Sequence, residues 1–200
     1  MSENVELSTL NLRYEGYRLR DDAREARLLA SIAERGIEEP LEGVDTPQER
    51  LLLDGFKRRR CAEKVGLHHV PYVSLGEEEA SGIITLVRAA PNRSLQILEQ
   101  ARFVVELLTM HGMSVADVAE SLSRSKGWVC MRRNLMEHMS DATQRILFRG
   151  AFPVYSYMYT LRPFMRMNSV ACSDVAQFIQ FVAGKHLSVR DIELLADGYF

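Results

Sequence analysis

The chain has 200 residues, of which 46% are hydrophobic and 26% charged, and its formal net charge is −2. This composition is typical of a globular protein with one or two domains and excludes a wholly disordered chain. No apolar run approaches the roughly 20 residues that cross a bilayer, and no signal peptide is visible at the N-terminus, so we expect a cytoplasmic protein without membrane contact. Cys61, Cys130 and Cys172 have neither metal-ligand nor disulfide spacing, and we expect reduced thiols and no metal site.

The N-terminal part is predicted to mix strands and helices. An edge strand and lead-in are followed by a helix that begins at Asp21 or Asp22 and ends near Arg35, just before Gly36. The stretch "IEEPLEGVDTPQERLLLDG" indicates a strand, a turn and a second strand, and "FKRRRCAEKV" a helix. "HHVPYVSL" indicates a short strand, which its proline marks as an edge strand or an irregular one. The next stretch, "GEEEASGIITLVRAAPN", fits either a helix or a strand-to-helix transition.

From Leu95 onward the apolar periodicity is helical. The shift in composition near residues 90 to 95 predicts a mixed α/β domain at residues 1–92 and a helical domain at residues 93–200. The predicted fold class is therefore α+β. Residues 152–200 are rich in Tyr, Phe and Met, and we expect them to complete the helical core, with a dimer surface as the alternative.

The segment at about residues 114–137 has the pattern of a helix-turn-helix. Ser114 and the acidic residue three positions later form a capping box, and "SRS" is a short polar turn before a second helix. In a DNA-reading helix-turn-helix this second helix enters the major groove. It is expected to bury Val129 and to expose its basic residues; the alternative is an ordinary helical hairpin with a charged face. The candidate DNA-binding residues are Ser114, Ser123, Arg124, Ser125, Lys126, Trp128, Arg132 and Arg133.

Four consecutive basic residues, Lys57 to Arg60, follow Gly55. A strand that leads through a glycine into a helix lets the backbone approach a ligand, and the helix N-terminus offers unpaired N–H groups to an anion. Lysine and arginine side chains at the same place would complete a phosphate site. The alternative is a solvated charged helix face, and the run alone does not decide between the two.

The order of these motifs resembles the ParB family, whose N-terminal domain is shared with sulfiredoxin-like folds. The resemblance rests on "IAERGIEEPLEGV", on "RLLLDGFKRRRCAEKVGLHHVPYVSL" and on the helical segment "SLQILEQARFVVELLTMHGMSVADVAESLSRSKGWVCMRRNLME". The family's Gly-Glu-Arg-Arg-x-Arg-Ala-Ala box is similar to "GFKRRRCA" at Gly55–Ala62. The match covers roughly residues 10 to 150.

The resemblance implies a nucleotide site in the N-terminal domain for CTP with Mg²⁺. By carry-over, Gly36, Ile37 and Pro40 would lie near the base, Lys57, Arg58 and Arg60 near the triphosphate, and Asn92 and Arg93 would replace part of the family's Glu-Asn-x-x-Arg motif, with Gly55 at the turn. That motif is absent here, and Phe56 stands where the family's box has its acidic residue. Whether the chain has even a weak CTPase activity is therefore left open.

We expect a ParB-like protein that binds double-stranded DNA sequence-specifically. Its implied role is DNA partition, chromosome segregation or the transcription regulation of a plasmid or mobile element. Its implied partners are DNA, CTP, a second copy of the chain as a homodimer and a partner ATPase, in association with a nucleoid or plasmid. The alternative is a nucleotide-using kinase or phosphotransferase on the sulfiredoxin-like fold, with Asp54, Glu63 or Glu77–Glu79 as carboxylates. A third interpretation is an adaptor that binds protein and has no affinity for DNA.

Overall fold

The computed structural model describes residues 2–89, 95–167 and 169–200. These residues form a mixed sheet, with helices between and after its strands, which confirms the predicted α+β class. Asn92 and Arg93 lie outside the described residues.

The sheet has five strands in the order β1-β5-β3-β4-β2. β1 pairs antiparallel with β5, β5 parallel with β3, β3 antiparallel with β4, and β4 parallel with β2. The strands are β1 (Glu3–Glu6), β2 (Leu10–Asn11), β3 (Leu41–Asp45), β4 (Arg50–Asp54) and β5 (His69–Ser74).

Of the two alternatives for the proline-containing strand, an edge strand or an irregular one, the edge position is wrong, because β5 lies between β1 and β3. Pro71 is opposite Asn4 of the short strand β1. The parallel ladder with β3 begins one residue later, where Tyr72 pairs with Leu41. Because Pro71 lies outside that ladder, its missing N–H removes no hydrogen bond between β5 and β3, which explains how a proline is tolerated in this internal strand.

Six helices accompany the sheet in the first part of the described chain. They are α1 (Asp22–Arg35), α2 (Phe56–Val65), α3 (Glu79–Arg88), α4 (Ile97–Thr109), α5 (Val115–Ser121) and α6 (Lys126–Glu137). Short 3₁₀ turns occupy Leu7–Thr9 and Glu15–Tyr17. The segment that sequence reasoning left undecided forms α3, which buries Ile83, Leu86 and Val87 along one side.

The chain divides into two compact units, one of Met1–Arg18 with Asp22–Arg133 and one of Leu19–Asp21 with Asn134–Phe200. This division differs from the predicted one at residues 92 and 93. The physical reason is a shared core: Leu52 and Tyr72 of the sheet belong to the same apolar cluster as Phe103 of α4, Val118 of α5 and Val129 of α6. Helices α4, α5 and α6 therefore share the core of the sheet.

The second unit is helical. Its elements are α7 (Asp141–Phe148), α8 (Val154–Ser156), a π-helical turn (Tyr157–Leu161), α9 (Arg162–Met167), α10 (Cys172–Val182) and α11 (Val189–Tyr199). Its buried side chains include Tyr157, Phe178 and Ile192, whereas Met167 and Leu194 are exposed. Within the described residues, none of the helices combines the length and apolarity that a membrane crossing requires.

Candidate functional site

The turn between β4 and α2 is built around a glycine that no other residue could replace without strain. Gly55 caps α2 with φ +94°, in the left-handed region. A Cβ atom there would lie 2.9 Å from Cγ of Leu41, closer than carbon atoms normally approach. Because glycine has no side chain to cap the helix, the first N–H groups of α2 receive no side-chain hydrogen bond at this position. They remain suited to an external anion.

The four basic residues of α2 have different surroundings. Arg58 donates to the Glu39 carboxylate at 2.8 Å and lies 3.3 Å from the Asp54 carboxylate. Arg59 pairs with Glu63 at 2.8 Å, one helical turn away. Among the described residues, Lys57 makes no ion pair, although it is partly buried. A ligand phosphate at this turn would therefore find the Lys57 ammonium group available.

Arg60 is held inside the fold. Its guanidinium lies 2.6 Å from the Glu15 carboxylate and 2.5 Å from the Glu25 carboxylate, and Lys64 reaches Glu25 at 3.2 Å. The Arg60 side chain is only 15% exposed and that of Glu25 only 10%. The hydrogen bonds from Arg60, with those from Lys64, lower the pKa of Glu25 to about 2. This network joins α1 to α2, so Arg60 serves the fold in this arrangement, although the sequence placed it near a triphosphate.

The predicted base-side residues follow α1. Gly36 takes φ +74° after the last turn of that helix, and Ile37 packs against the core. Arg58 donates a hydrogen bond to the backbone carbonyl of Glu39, at 3.3 Å, as well as to its carboxylate. The residue before Pro40 is thereby tied to α2, which brings one end of the predicted base side next to the predicted phosphate side.

A second ionic chain links the end of β4 to α4, and sequence reasoning missed it. Arg18 lies 2.9 Å from the Asp54 carboxylate and 3.1 Å from the Glu99 carboxylate. Asp54 therefore lies between two arginines, Arg18 and Arg58. No local pattern could have indicated this chain, because Arg18 and Glu99 are 81 positions apart.

Two helices joined by a turn, α5 and α6, form at the residues where a helix-turn-helix was predicted. Ser114 accepts a hydrogen bond from the Asp117 N–H while the Asp117 side chain accepts one from the Ser114 N–H, which is the predicted capping box. Ser123 turns the chain with φ +53°. The Ser125 hydroxyl accepts a hydrogen bond from the Trp128 N–H at 3.1 Å and so caps α6. Ser114 and all four residues from Ser123 to Lys126 are exposed.

The interior side of α6 differs from the prediction at one residue. Val129 is buried as expected, and Leu135 is buried as well. The expected exposure of Arg132 is wrong, because Arg132 is only 8% exposed and its guanidinium lies 3.6 Å from the centre of the Trp128 ring. Arg132 also donates two hydrogen bonds to the Gln100 side chain of α4. Arg133 is partly buried.

A buried polar cluster surrounds Glu106 of α4, and no sequence motif pointed to it. Tyr17 donates to Glu106 at 2.6 Å, Arg13 donates at 3.0 Å, and Tyr14 donates to Glu79. Burial alone would raise the pKa of Glu106, but the hydrogen bonds from Tyr17, Arg13 and Tyr14 outweigh burial and lower it. Burial, with the bond to Glu106, raises the pKa of Tyr17 to about 12.

The same cluster has the donor atoms of a metal site. Ligand atoms of Glu79, Glu106 and His111 lie within 4.8 Å of one another. However, the Arg13 guanidinium lies 2.5 Å from the Glu79 carboxylate and 3.0 Å from the Glu106 carboxylate. Arg13 thus already supplies both carboxylates with a positive charge, so neither needs a metal ion for charge compensation.

The chain has relatives of known name. No family model matches it. The probable chromosome-partitioning protein ParB of Coxiella burnetii is 26% identical over 184 residues, which cover 92% of this chain and 61% of that protein. The chain thus spans about three fifths of the length of this curated relative.

A solved structure agrees in fold with this chain. The Pnob8-like ParB N-domain matches with a TM-score of 0.50 at 12% identity, over 100% of this chain and 97% of that one. A C-terminally truncated ParB from Caulobacter crescentus, solved with CTP-gamma-S, matches with a TM-score of 0.40 at 19% identity, over 100% and 98% of the two chains. The likeness to the ParB N-domain shows the fold, and the Coxiella relative provides the link in sequence. The chain is therefore ParB-like in both sequence and fold.

Proposed function

We propose that the chain is a DNA-binding protein of the ParB type that reads DNA through α5 and α6. The observation that carries this proposal is the exposed turn from Ser123 to Lys126 at the start of α6. The stretch from Ser121 to Leu135 contains four basic residues and no acid. A capped helix N-terminus with cations beside it suits DNA phosphates, and the first turn of the helix would face the base edges.

We also propose that the turn at Gly55 binds the phosphates of a nucleotide. The N–H groups at the start of α2 and the Lys57 ammonium group support this role, with Arg58 as the second cation. CTP is the nucleotide that the ParB resemblance implies, with Gly36, Ile37 and Pro40 near its base. Arg60 is assigned to the fold instead, because Glu15 and Glu25 already hold it.

Hydrolysis of the nucleotide has less support than binding. Phe56 is 3% exposed and belongs to the apolar core, so it offers no carboxylate where the family's box has one. Asp54 is engaged by Arg18 and Arg58. Mg²⁺ enters the proposal only as the ion that accompanies a bound triphosphate. A kinase or phosphotransferase gains no support from these surroundings of Asp54, nor from Glu63, which Arg59 binds.

The biological setting follows from the named relative. Chromosome partitioning is the role stated for the Coxiella burnetii protein. We propose partition or regulation of a chromosome, plasmid or mobile element for this chain, in association with the DNA. A homodimer and a partner ATPase are part of the same proposal, with the exposed apolar residues of the second unit as a candidate dimer surface.

The DNA proposal is tested by selecting binding sites from random double-stranded DNA, with and without CTP. One enriched palindrome is expected, because a dimer would bind two half-sites. On that site, Lys126→Ala should weaken binding and lower the slope of log affinity against log salt by about one. Arg190→Ala, an exposed change of the same charge on α11, serves as the control. If both variants lose affinity equally, α6 is not the reading helix.

The nucleotide proposal is tested by titrating the chain with CTP and Mg²⁺ in a calorimeter. Lys57→Ala should weaken binding by about tenfold, the effect of losing roughly one charge-assisted contact. Arg59→Ala should bind as the wild type does, because Arg59 already pairs with Glu63. Equal binding by the wild type and Lys57→Ala would refute the assignment. Nucleotide turnover that is independent of DNA would favour the enzyme alternative.

A further inference from the structure

Arg132 is a buried arginine whose partners are all neutral. It is 8% exposed, and its Nε and Nη2 atoms donate to Oε1 of Gln100 at 3.2 and 2.9 Å. Its guanidinium stacks 3.6 Å from the centre of the Trp128 ring. Its Nη1 atom is buried and has no hydrogen-bond partner. Within the described residues, no carboxylate forms an ion pair with it.

This arrangement opposes the fold's own stability. A buried cation is normally compensated by a carboxylate, because desolvation penalises the charge. The other arginines described above follow that rule: Arg18, Arg58 and Arg60 each meet at least one acid. At Arg132 the position of such an acid is taken by the Gln100 amide. Burial, followed by the charge of Arg124, lowers the pKa of Arg132 to about 10, so it still carries its charge at neutral pH.

A second arginine shares the same aromatic ring. Arg124 is exposed, and its guanidinium lies 5.6 Å from the centre of the Trp128 ring. Trp128 lies in the first turn of α6, the helix assigned to DNA reading. The guanidinium groups of Arg124 and Arg132 therefore both lie against the Trp128 indole at the start of that helix. Unsatisfied groups of this kind are expected at functional sites, where an external partner supplies what the fold lacks.

We propose that Arg124, Trp128 and Arg132 form an anion-recognition unit for the phosphate backbone of double-stranded DNA. Arg124 makes the contact. Arg132 is a positioning residue: it holds the indole from the buried side and adds a positive charge that Gln100 leaves uncompensated. This inference rests on the proposed DNA binding by α6. It goes beyond that proposal because it assigns roles to the buried Arg132 and to Gln100 of α4.

The decisive variant is Gln100→Glu. The carboxylate has nearly the shape of the amide. It would lose the hydrogen bond that the Gln100 amide donates to the Leu95 carbonyl at 3.0 Å, but it would gain an ion pair with Arg132, so the chain should still fold. Affinity for the selected DNA site should nevertheless fall by about three- to tenfold, and the salt slope should decrease by about one. Gln48→Glu, in the exposed turn between β3 and β4, makes the same change in net charge and should bind as the wild type does.

Arg124→Gln provides the second measurement, because the exposed side chain can be changed without disturbing the core. It should weaken binding by a similar factor, and the double variant with Gln100→Glu should lose less affinity than the two single losses combined. A merely structural role for Arg132 would leave the salt slope of Gln100→Glu unchanged.

The outcomes separate the two proposals. If the wild type binds DNA and Gln100→Glu matches it in affinity and salt slope, this inference is overturned while the proposed function stands. If the wild type shows no salt-dependent binding to any DNA, both are overturned. Loss of affinity in Gln100→Glu alone, with Gln48→Glu unchanged and thermal stability retained, supports the anion-recognition unit.

Discussion

The ion pair between Glu25 and Arg60 should contribute measurably to stability, and Glu25→Gln is the perturbation that tests it. The pKa of Glu25 falls from its usual value near 4.5 to about 2 because Arg60 and then Lys64 bind its carboxylate. At about 1.4 kcal/mol per pH unit, this difference corresponds to roughly 3 kcal/mol of folding free energy at neutral pH. The magnitude is consistent with breaking a buried ion pair, since both side chains are at most 15% exposed.

The dependence on pH has a definite sign. A carboxylate whose pKa is lowered by folding stabilises the folded state above its unfolded pKa, and that contribution is lost as pH falls through the folded pKa. The wild type should therefore lose this contribution progressively between about pH 4.5 and pH 2. Glu25→Gln should lack it at every pH, so the two proteins should converge in stability as the solution becomes acidic.

The assay is urea unfolding at pH 7, 5, 4 and 3, followed by fluorescence of Trp128, the single tryptophan of the chain. Trp128, Glu25 and Arg60 belong to the same compact unit, so the signal reports the relevant transition. Glu34→Gln on the same helix is the control: Glu34 is exposed, and its loss should change stability by less than about 0.5 kcal/mol. A Glu25→Gln protein as stable as the wild type at pH 7, or a difference that stays constant down to pH 3, would refute the reasoning.

Two further predictions concern turns at the candidate sites. Gly55→Ala should lower the free energy of unfolding in urea by about 1–3 kcal/mol, because φ +94° strains an alanine and its Cβ would press on Leu41. Gly127→Ala is the control: its Cβ would meet nothing closer than 3.8 Å, so the change should be neutral or stabilising. Equal effects of the two changes would contradict this. Ser125→Ala should destabilise by about 1 kcal/mol through loss of the cap on the Trp128 N–H. Ser125→Asp should retain the cap and yet weaken DNA binding through its negative charge, so unchanged DNA affinity would contradict the position of this turn on the DNA.

Local sequence was sufficient wherever a structure depends on neighbouring residues. The bounds of α2, Phe56–Val65, match the predicted helix because Gly55 and Gly66 both adopt positive φ at its two ends. The caps at Ser114 and Ser125 form because each serine needs only the N–H group three residues later. The class of fold and the family resemblance were accessible for the same reason, since the order of strands, glycines and helices is written along the chain.

Pairing across the sheet was not accessible in this way. The segment with Pro71 has the local character of an edge strand, yet β5 lies inside the sheet because it pairs with β1 on one side and with β3 on the other. The extent of the first compact unit likewise depends on tertiary contacts, since composition along the chain does not record how Phe103 and Val118 pack into the sheet's core.

Sequence alone was sufficient to predict α1, α2, the capping box at Ser114 and the turn between α5 and α6. Only the tertiary structure decided what each charge does. Arg60 and its partner Glu25 are 35 positions apart, and Arg132 and Gln100 are 32 apart. Glu25 compensates the charge of Arg60, which serves the fold, whereas the Gln100 amide leaves the charge of Arg132 uncompensated. That difference arises from contacts between segments that are distant in sequence.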